Sequence, residues 1–439
     1  MEHLPNELLI SIGEYTQERW CPMSTLRSLT LCSRRLHTVF QPLLYSYISP
    51  RWSIRLLRLI IRLWKHPELA SQVRHLKLFW THCENDPRDG LDEDEAVKFI
   101  HHALDEIFEP EEEEFRSKWR EHLLVPCEEA WLGLLLVRLT HLETIEFGHE
   151  SSDLMSDILR KAARRQRPFH QTLPLPHLRE ILFFSQYGDN SWMPSDFLTP
   201  FFYFPAVRKI HGGPIGESSP DDPDNMSLNI NHSSRPVREF TVSMAFWCCG
   251  MLDWLASSTE LEHIALVLGY HRDDPDFPDG DMFQAPEFRS ALLPFTGTLK
   301  TLRLEADHWS QDQCTSNIAD DAGPFGSLKE FAVLEDLRMR YVHLVQPSTS
   351  DSTHEMKRPL VDILPSSLRN LEVLEIEEDH YPDLLLGLSQ LVQYRTSFPR
   401  LERITLHVME VDESLQNSLR HEYKTAGIDF RVKTQVFTR

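Results

Sequence analysis

A chain of 439 residues exceeds what one hydrophobic core organises, so two or more units are expected. With 41% hydrophobic and 26% charged residues it reads as globular rather than disordered, and its 16 glycines disfavour a Gly-rich nucleotide fold. A formal net charge of −22 repels phosphate backbones and excludes general nucleic-acid binding. The charge is uneven: residues 1–80 hold 11 Lys/Arg against 5 Asp/Glu, a surplus of 6, which leaves −28 for the remainder.

The opening Met1-Glu2-His3-Leu4-Pro5 has no basic start and no apolar core, so no signal peptide is expected. Leu4-Pro5 opens a helix, where proline is tolerated because its missing N–H would be unpaired anyway. Leu8, Leu9 and Ile12 fall on one face of it. A loop with Trp20, Cys21 and Pro22 comes next, and Ser24 is a candidate cap for a second helix carrying Leu26, Leu29 and Leu31. Ser33 caps a third, with Leu36, Val39 and Phe40 apolar; Pro42 interrupts it and Leu43-Leu44-Tyr45 continue. Three such helices bury little of their own surface. Periodicity leaves two readings open: a module that seeks an apolar partner, or the first layer of one all-helical domain.

The order of residues adds to this. Leu4-Pro5-x-Glu7-Leu8-Leu9-x-x-Ile12, then Leu26-x-x-Leu29-x-Leu31-Cys32-Ser33-Arg34-Arg35-Leu36-His37, then Gln41-Pro42-Leu43-Leu44-Tyr45 strongly resembles the F-box. The resemblance covers residues 4–48 and departs from the family in the longer stretch Tyr15–Met23. It implies docking onto a Skp-type adaptor that bridges to a cullin-RING ubiquitin ligase. By the same resemblance the adaptor contacts fall on Leu4, Pro5, Ile12, Leu26, Leu29, Leu31, Cys32, Leu36, Leu43 and Leu44. Apolar burial at ~25 cal/mol per Å², before association costs, would drive the docking. Some of these side chains must instead hold the three helices together, and the sequence does not separate the two sets.

Residues 52–64 read as a strongly amphipathic helix, and Arg51, Arg55, Arg58, Arg62 and Lys65 in and beside it recur on one stripe. Such a stripe is a solvated face, a basic surface for an acidic partner, or a membrane-surface or calmodulin-type element. The segment Pro67–Leu76 also resembles the stretch after the F-box in many fungal members of that family.

Beyond this a motif L-x-x-[L/I]-x-L recurs. It is carried by Val73-x-x-Leu76-x-Leu78, Leu142-x-x-Ile145-x-Phe147, Leu178-x-x-Ile181-x-Phe183 and Val207-x-x-Ile210. Val237-x-x-Phe240-x-Val242, Leu261-x-x-Ile264-x-Leu266 and Leu299-x-x-Leu302-x-Leu304 extend it. Leu334-x-x-Leu337-x-Met339, Leu371-x-x-Leu374-x-Ile376 and Leu401-x-x-Ile404-x-Leu406 complete the series, with a terminal strand at Ile428–Val432. The recurrence is similar to the strand signature of leucine-rich repeats, in degenerate form. Two anchors per repeat point inward, neighbouring strands pair in parallel, and segments such as Met251–Leu255 and Leu384–Leu391 supply helices. Some connections exceed a plain repeat. An acidic insertion at about 84–135 contains Asp92–Glu95 and Glu111–Glu114 around Val97, Ile100, Leu104 and Ile107. Residues 213–234, 270–286 and 346–358 read as loops.

No Walker loop, GxGxxG, GxSxG or HExxH is present. His101-His102 lack a second ligand cluster, and the carboxylates Asp273, Asp274, Asp276, Asp279 and Asp281 lack EF-hand spacing. No metal, cofactor or catalytic residue is expected. Seven scattered cysteines without a CxxC read as reduced thiols of cytosol or nucleus, and no run of about 18 apolar residues predicts a membrane span.

The residues between the two inward anchors are displayed on the sheet's other face: Lys77, Glu146, Leu182, His211, Thr241, Ala265, Arg303, Arg338, Glu375 and Thr405. Arg303, Arg338 and Arg340 form a basic island for an acidic or phosphorylated motif, unless Arg338 merely pairs with Glu375 or a similar neighbour. His211, Arg303, Arg338, Arg340 and Glu375 are therefore the candidate substrate-binding residues. The expected architecture is α/β: a three-helix F-box (1–48), a linker helix with the first solenoid helix (49–72), and an irregular leucine-rich-repeat solenoid with a curved parallel sheet (73–439). The expected role is a non-catalytic substrate receptor of a Skp-cullin-F-box ligase, with no nucleic acid or membrane as partner. The competing expectation is an interaction scaffold without a role in ubiquitination.

Overall fold

Each recurring segment becomes a short strand whose apolar anchors are buried and whose intervening residue is more accessible, except Thr405, which is buried at 5% exposure. The structure, a computed structural model, describes residues 4–18, 22–49, 53–79, 92–125, 127–148, 153–184, 192–217, 236–246, 248–269, 283–306, 324–345, 359–376, 381–408 and 413–434. Trp20, Cys21, Arg51, Trp52, the Asp273–Asp281 run and most of the expected loops lie outside these residues. The chain divides into two units: Met1–Ser191 with Tyr203–Arg208 and Met226–Ser234, and Trp192–Phe202 with Lys209–Asn225 and Arg235–Arg439.

The first unit begins with α1 (Asn6–Glu18), α2 (Pro22–Cys32) and α3 (Arg34–Ser46). Pro5 precedes α1, and its carbonyl accepts from the Leu9 N–H at 3.1 Å. Ser33 caps α3 as expected, its hydroxyl accepting from the Leu36 N–H at 3.2 Å. Two expectations are corrected. Ser24 is no cap: α2 starts two residues earlier, and the Ser24 carbonyl accepts from the Ser28 hydroxyl. Pro42 does not interrupt α3, which continues to Ser46. Phe40 and Leu43 press against Gly13 of α1, where an added Cβ would collide with Leu43 Cδ1. Packing on both sides of Pro42 thus outweighs its missing hydrogen bond.

The chain passes from α3 directly into β1 (Tyr47–Ile48), and the Arg74 N–H donates to the Ser46 carbonyl at 2.8 Å. Then come α4 (Ile54–Lys65), α5 (Pro67–Ala70), β2 (His75–Phe79), α6 (Glu93–Ile107), α7 (Glu113–Leu124), α8 (Glu128–Arg138), β3 (Thr144–Gly148), α9 (Asp153–Ala163) and β4 (Glu180–Phe184). The strands pair in parallel in the order β1-β2-β3-β4. The acidic insertion is largely built into this core. Phe99 of α6 stacks on Trp131 of α8 (5.8 Å) and meets Trp64 of α4 edge-on (5.8 Å), while Arg138 lies 4.2 Å over the Trp64 ring. The buried Lys161 pairs with Glu112 at 2.5 Å, which holds that carboxyl below the usual range despite its burial. Asp92 caps α6 by accepting from the Glu95 N–H, so the acidic run sits where the helix dipole favours it.

The second unit contains β5 (Met193–Pro194), β6 (Lys209–Gly213), β7 (Ile215–Gly216), β8 (Glu239–Phe246), β9 (His263–Leu268), β10 (Thr301–Ala306), β11 (Asp336–Arg340), β12 (Asn370–Ile376), β13 (Arg403–Val408) and β14 (Asp429–Thr434). Its parallel order is β6-β8-β9-β10-β11-β12-β13-β14, with β7 pairing both β5 and β8. Helices such as Ala285–Leu292 and Tyr381–Gln393 fill the crossovers.

One repeat is read three residues late in the sequence. Leu371, not Leu374, stands opposite Leu337 and Ile404, and Val373 stands opposite Met339 and Leu406. The motif of this repeat starts at the buried Leu368, so Glu372, not Glu375, occupies the position between anchors. A leucine-rich run supports both frames; the ladder selects the first. The surplus is absorbed by an irregularity between Val373 and Ile376, where Glu375 adopts φ +49°.

The second position of each motif carries a further pattern. Immediately before β8–β13 it reads Arg238, Glu262, Lys300, Glu335, Arg369, Glu402: strict alternation of sign. From Glu262 onward each backbone N–H donates to the preceding member's carbonyl at 2.8 Å. Glu262 pairs with both Arg238 (3.2 Å) and Lys300, and Arg369 with Glu335 (3.7 Å).

His343, in the short helix Tyr341–Leu344, is wholly buried beside the Phe283 ring (5.4 Å), and among the described residues neither ring nitrogen has a hydrogen-bond partner. Burial, helped by the nearby Arg340 charge, pushes its imidazole down to about 3.

Candidate functional site

Two surfaces carry the candidate residues, one in each unit. In the first unit Leu9, Leu26, Leu36 and Phe40 form a closed cluster, with Leu4, Leu29, Val39, Leu43 and Leu44 packed against it. This divides the set that the resemblance nominated. Leu26 (0% exposed) and Leu36 (4%) are buried and hold the three helices together. Leu31, at 78% exposure, holds nothing together. Pro5 and Cys32 are exposed, whereas Leu4, Ile12, Leu29, Leu43 and Leu44 are half-buried and serve both purposes. Leu8, grouped with Leu9 and Ile12 on one helix face, is 51% exposed while Leu9 is buried, and Ile10 and Tyr15 are exposed as well. Arg35 fixes the edge of this module, donating from Nη2 to the Leu4 carbonyl (2.5 Å) and to Asn6 Oδ1 (2.9 Å).

The basic stripe of α4 is a solvated face: Arg55, Arg58, Arg62 and Lys65 point away from the core, and Leu56, Leu57, Ile60 and Trp64 are buried. Lys65 meets Glu95 of α6 at 2.7 Å.

In the second unit the face opposite the core is laid out by register. His211, Thr241, Ala265, Arg303, Arg338, Glu372, Thr405 and Arg431 stand side by side on β6 and β8–β14. Arg338 does not meet Glu375; its guanidinium lies between Glu305 (2.8 Å) and Glu372 (3.5 Å). Glu372 also takes His407 (2.5 Å) and Lys433 (3.7 Å). The His407 hydrogen bond, with Arg338 and Lys433 beside it, holds the Glu372 carboxyl below the usual range against the opposing effect of burial. Arg340 and Glu375 pair with each other at 2.6 Å and are nearly withdrawn from solvent, so they make a structural ion pair. His211 lies 3.8 Å from Glu239 at one end of the row. Arg303 is exposed and makes no ion pair with any described residue.

The first unit carries a feature that no single motif announces. Phe79 and Phe184 meet at 5.0 Å across Gly148, where an added Cβ would collide with the Phe79 ring. The Lys77 ammonium sits 4.7 and 5.0 Å from the two ring centres and 2.6 Å from Glu146. The signal in the sequence is an aromatic residue one position past the second anchor in two repeats, with glycine there in the repeat between them.

No group of three His, Cys, Asp or Glu able to hold a metal occurs among the described residues. His102 is engaged with Glu106 at 3.1 Å. Among the described residues no helix is long and apolar enough to cross a membrane.

Short parallel strands with buried leucine anchors, joined by helical crossovers and paired in sequence order, define a repeat protein of the strand-and-helix kind. A leucine-rich repeat domain family model matches residues 48–438, and the chain belongs to that family. Such domains are typically non-catalytic modules that bind other proteins. No F-box family model matches the helices that precede the matched span, and comparison with curated proteins finds no match.

Proposed function

We propose that this chain is the substrate-recognition subunit of a Skp-cullin-F-box type ubiquitin ligase. Residues 1–48 dock the Skp-type adaptor, residues 49–72 link, and residues 73–439 bind the target protein. The reading rests on one observation above others. At the F-box-like positions, Leu31 is 78% exposed and Pro5 and Cys32 are exposed, although leucine at a helix end gains nothing from water. The chain contributes binding and proximity and leaves the chemistry to the adaptor's assembly, raising the effective concentration of a target lysine. It acts in the cytoplasm, the nucleus or both.

Co-expression of the full chain with a Skp-type adaptor tests the docking arm. The adaptor co-purifies with the native chain, and the double change Leu4→Ala, Pro5→Ala abolishes recovery. Undiminished recovery from the double variant overturns the docking arm and leaves a protein-binding scaffold built on the repeat domain.

A further inference from the structure

We propose that Arg303 anchors a carboxylate-recognition site, at which an extended segment of a partner protein crosses the face of β8–β10 and presents one Asp or Glu side chain to its guanidinium. The inference rests on the repeat domain being the partner-binding half and not on the adaptor-docking module.

Three observations carry it. The first is the pairing of charges across the face. Lys209 has Glu239, Arg338 has Glu305 and Glu372, Arg340 has Glu375, Arg403 and Arg431 share Asp429, and Lys433 reaches Glu372. Arg303 alone among these cations has no carboxylate within ion-pair distance among the described residues, and it is exposed.

The second is position. Arg303 stands directly opposite Arg338 on the neighbouring strand, and like charges so placed destabilise a sheet. The carboxylates beside Arg338, Glu305 and Glu372, are engaged with it and leave none for Arg303, so binding an anion there offsets the remaining repulsion between the two guanidinium groups. The third is the ground beside it. Toward β9 and β8 the row continues with Ala265 and Thr241, and Val267 stands two residues further along β9. These small, half-buried side chains leave a floor on which the backbone and an aliphatic side chain of a partner can rest while its carboxylate reaches the fork of the guanidinium.

Charge fixes the chemical class. One uncompensated guanidinium matches one carboxylate. A dianionic phosphate would need a second free cation, and Arg338 is already held by two carboxylates. The chain's net charge of −22 opposes a more highly charged ligand further.

The test is selection of random heptapeptides displayed against the full chain, followed by anisotropy measurements on the best peptide. Selected peptides share an Asp or Glu, and replacing it by Asn or Gln weakens binding about tenfold, as does Arg303→Ala, a loss typical of a charge-assisted anchor. Arg303→Lys recovers part of the affinity. The melting temperature of Arg303→Ala stays at or above that of the native chain, which separates recognition from folding. Selected peptides without an acidic residue, no selection at all, binding indifferent to Arg303→Ala, or tighter binding of the phosphoserine version would each overturn the proposal. Adaptor recovery from the Arg303→Ala variant reads the docking arm independently.

Discussion

Arg35, at the start of the third helix, holds the Leu4 carbonyl at 2.5 Å, so the Leu-Pro opening of the chain is positioned by a residue 31 places later. The same guanidinium reaches Asn6 Oδ1 through Nε (3.3 Å) and Nη2 (2.9 Å). Its side chain is exposed, so these bonds contribute less than about 1 kcal/mol to stability. Their effect should show in docking. Arg35→Ala leaves the melting curve nearly unchanged and lowers Skp-type adaptor affinity several-fold, while Arg35→Lys, lacking the fork, recovers little. Thermal melts of each variant read the first effect, and calorimetric titration of adaptor into it reads the second.

Leu31 and Leu26 lie on one helix and should behave oppositely. Leu31→Asp places a charge where the side chain is already in water, so the fold keeps its stability and the adaptor is lost. Leu26→Ala opens a cavity in the Leu9–Leu36–Phe40 cluster and costs about 2–5 kcal/mol. Urea titrations paired with co-purification distinguish them: equal stability losses from the two changes would contradict the division of these residues into surface and core.

Reversing one member of the alternating ladder sets like charges beside each other. Glu262→Lys faces both Arg238 and Lys300 with a cation and should destabilise by roughly 0.5–1 kcal/mol, given solvent screening. The carboxyl of Glu262 is held low chiefly by its hydrogen bond from Lys300, which agrees with a working contact. Melting at low and at high salt checks this, since the penalty should shrink as salt rises.

His343 gives the fold an acid limit. Its imidazole stays neutral in the folded chain down to about pH 3, whereas in the unfolded chain it titrates near 6.5. The unfolded state therefore takes up the proton first. Stability is intact above 6.5 and declines as pH falls toward 3, by about 2 kcal/mol at pH 5. His343→Leu should flatten this decline in urea midpoints measured at pH 7, 6 and 5.

Much of this fold was legible because burial repeats. The ten motifs place a strand at every repeat, and the terminal segment Ile428–Val432 falls on β14. Where apolar residues are crowded the pattern is degenerate: Leu368, Leu371 and Leu374 allow two frames, and only pairing with β11 and β13 distinguishes them. That shift carried Glu375 into the candidate site and left Glu372 out. Leu26 and Leu31 share a helix and a chemistry, so only the packing of α1 and α3 tells which faces inward. The partnership of Arg338 with Glu305 was hidden because it is diagonal, between residues not opposite each other in the ladder. The clamp of Phe79 and Phe184 across Gly148 joins three repeats, a coincidence no single motif displays.

The sign alternation from Arg238 to Glu402 makes the array sensitive to parity. Excising a single interior repeat brings two cations or two carboxylates together at the join; excising two in succession restores the alternation. Insertions obey the same arithmetic. This stretch can therefore lengthen or shorten smoothly only in even steps, and an odd change must bring a compensating reversal of charge with it.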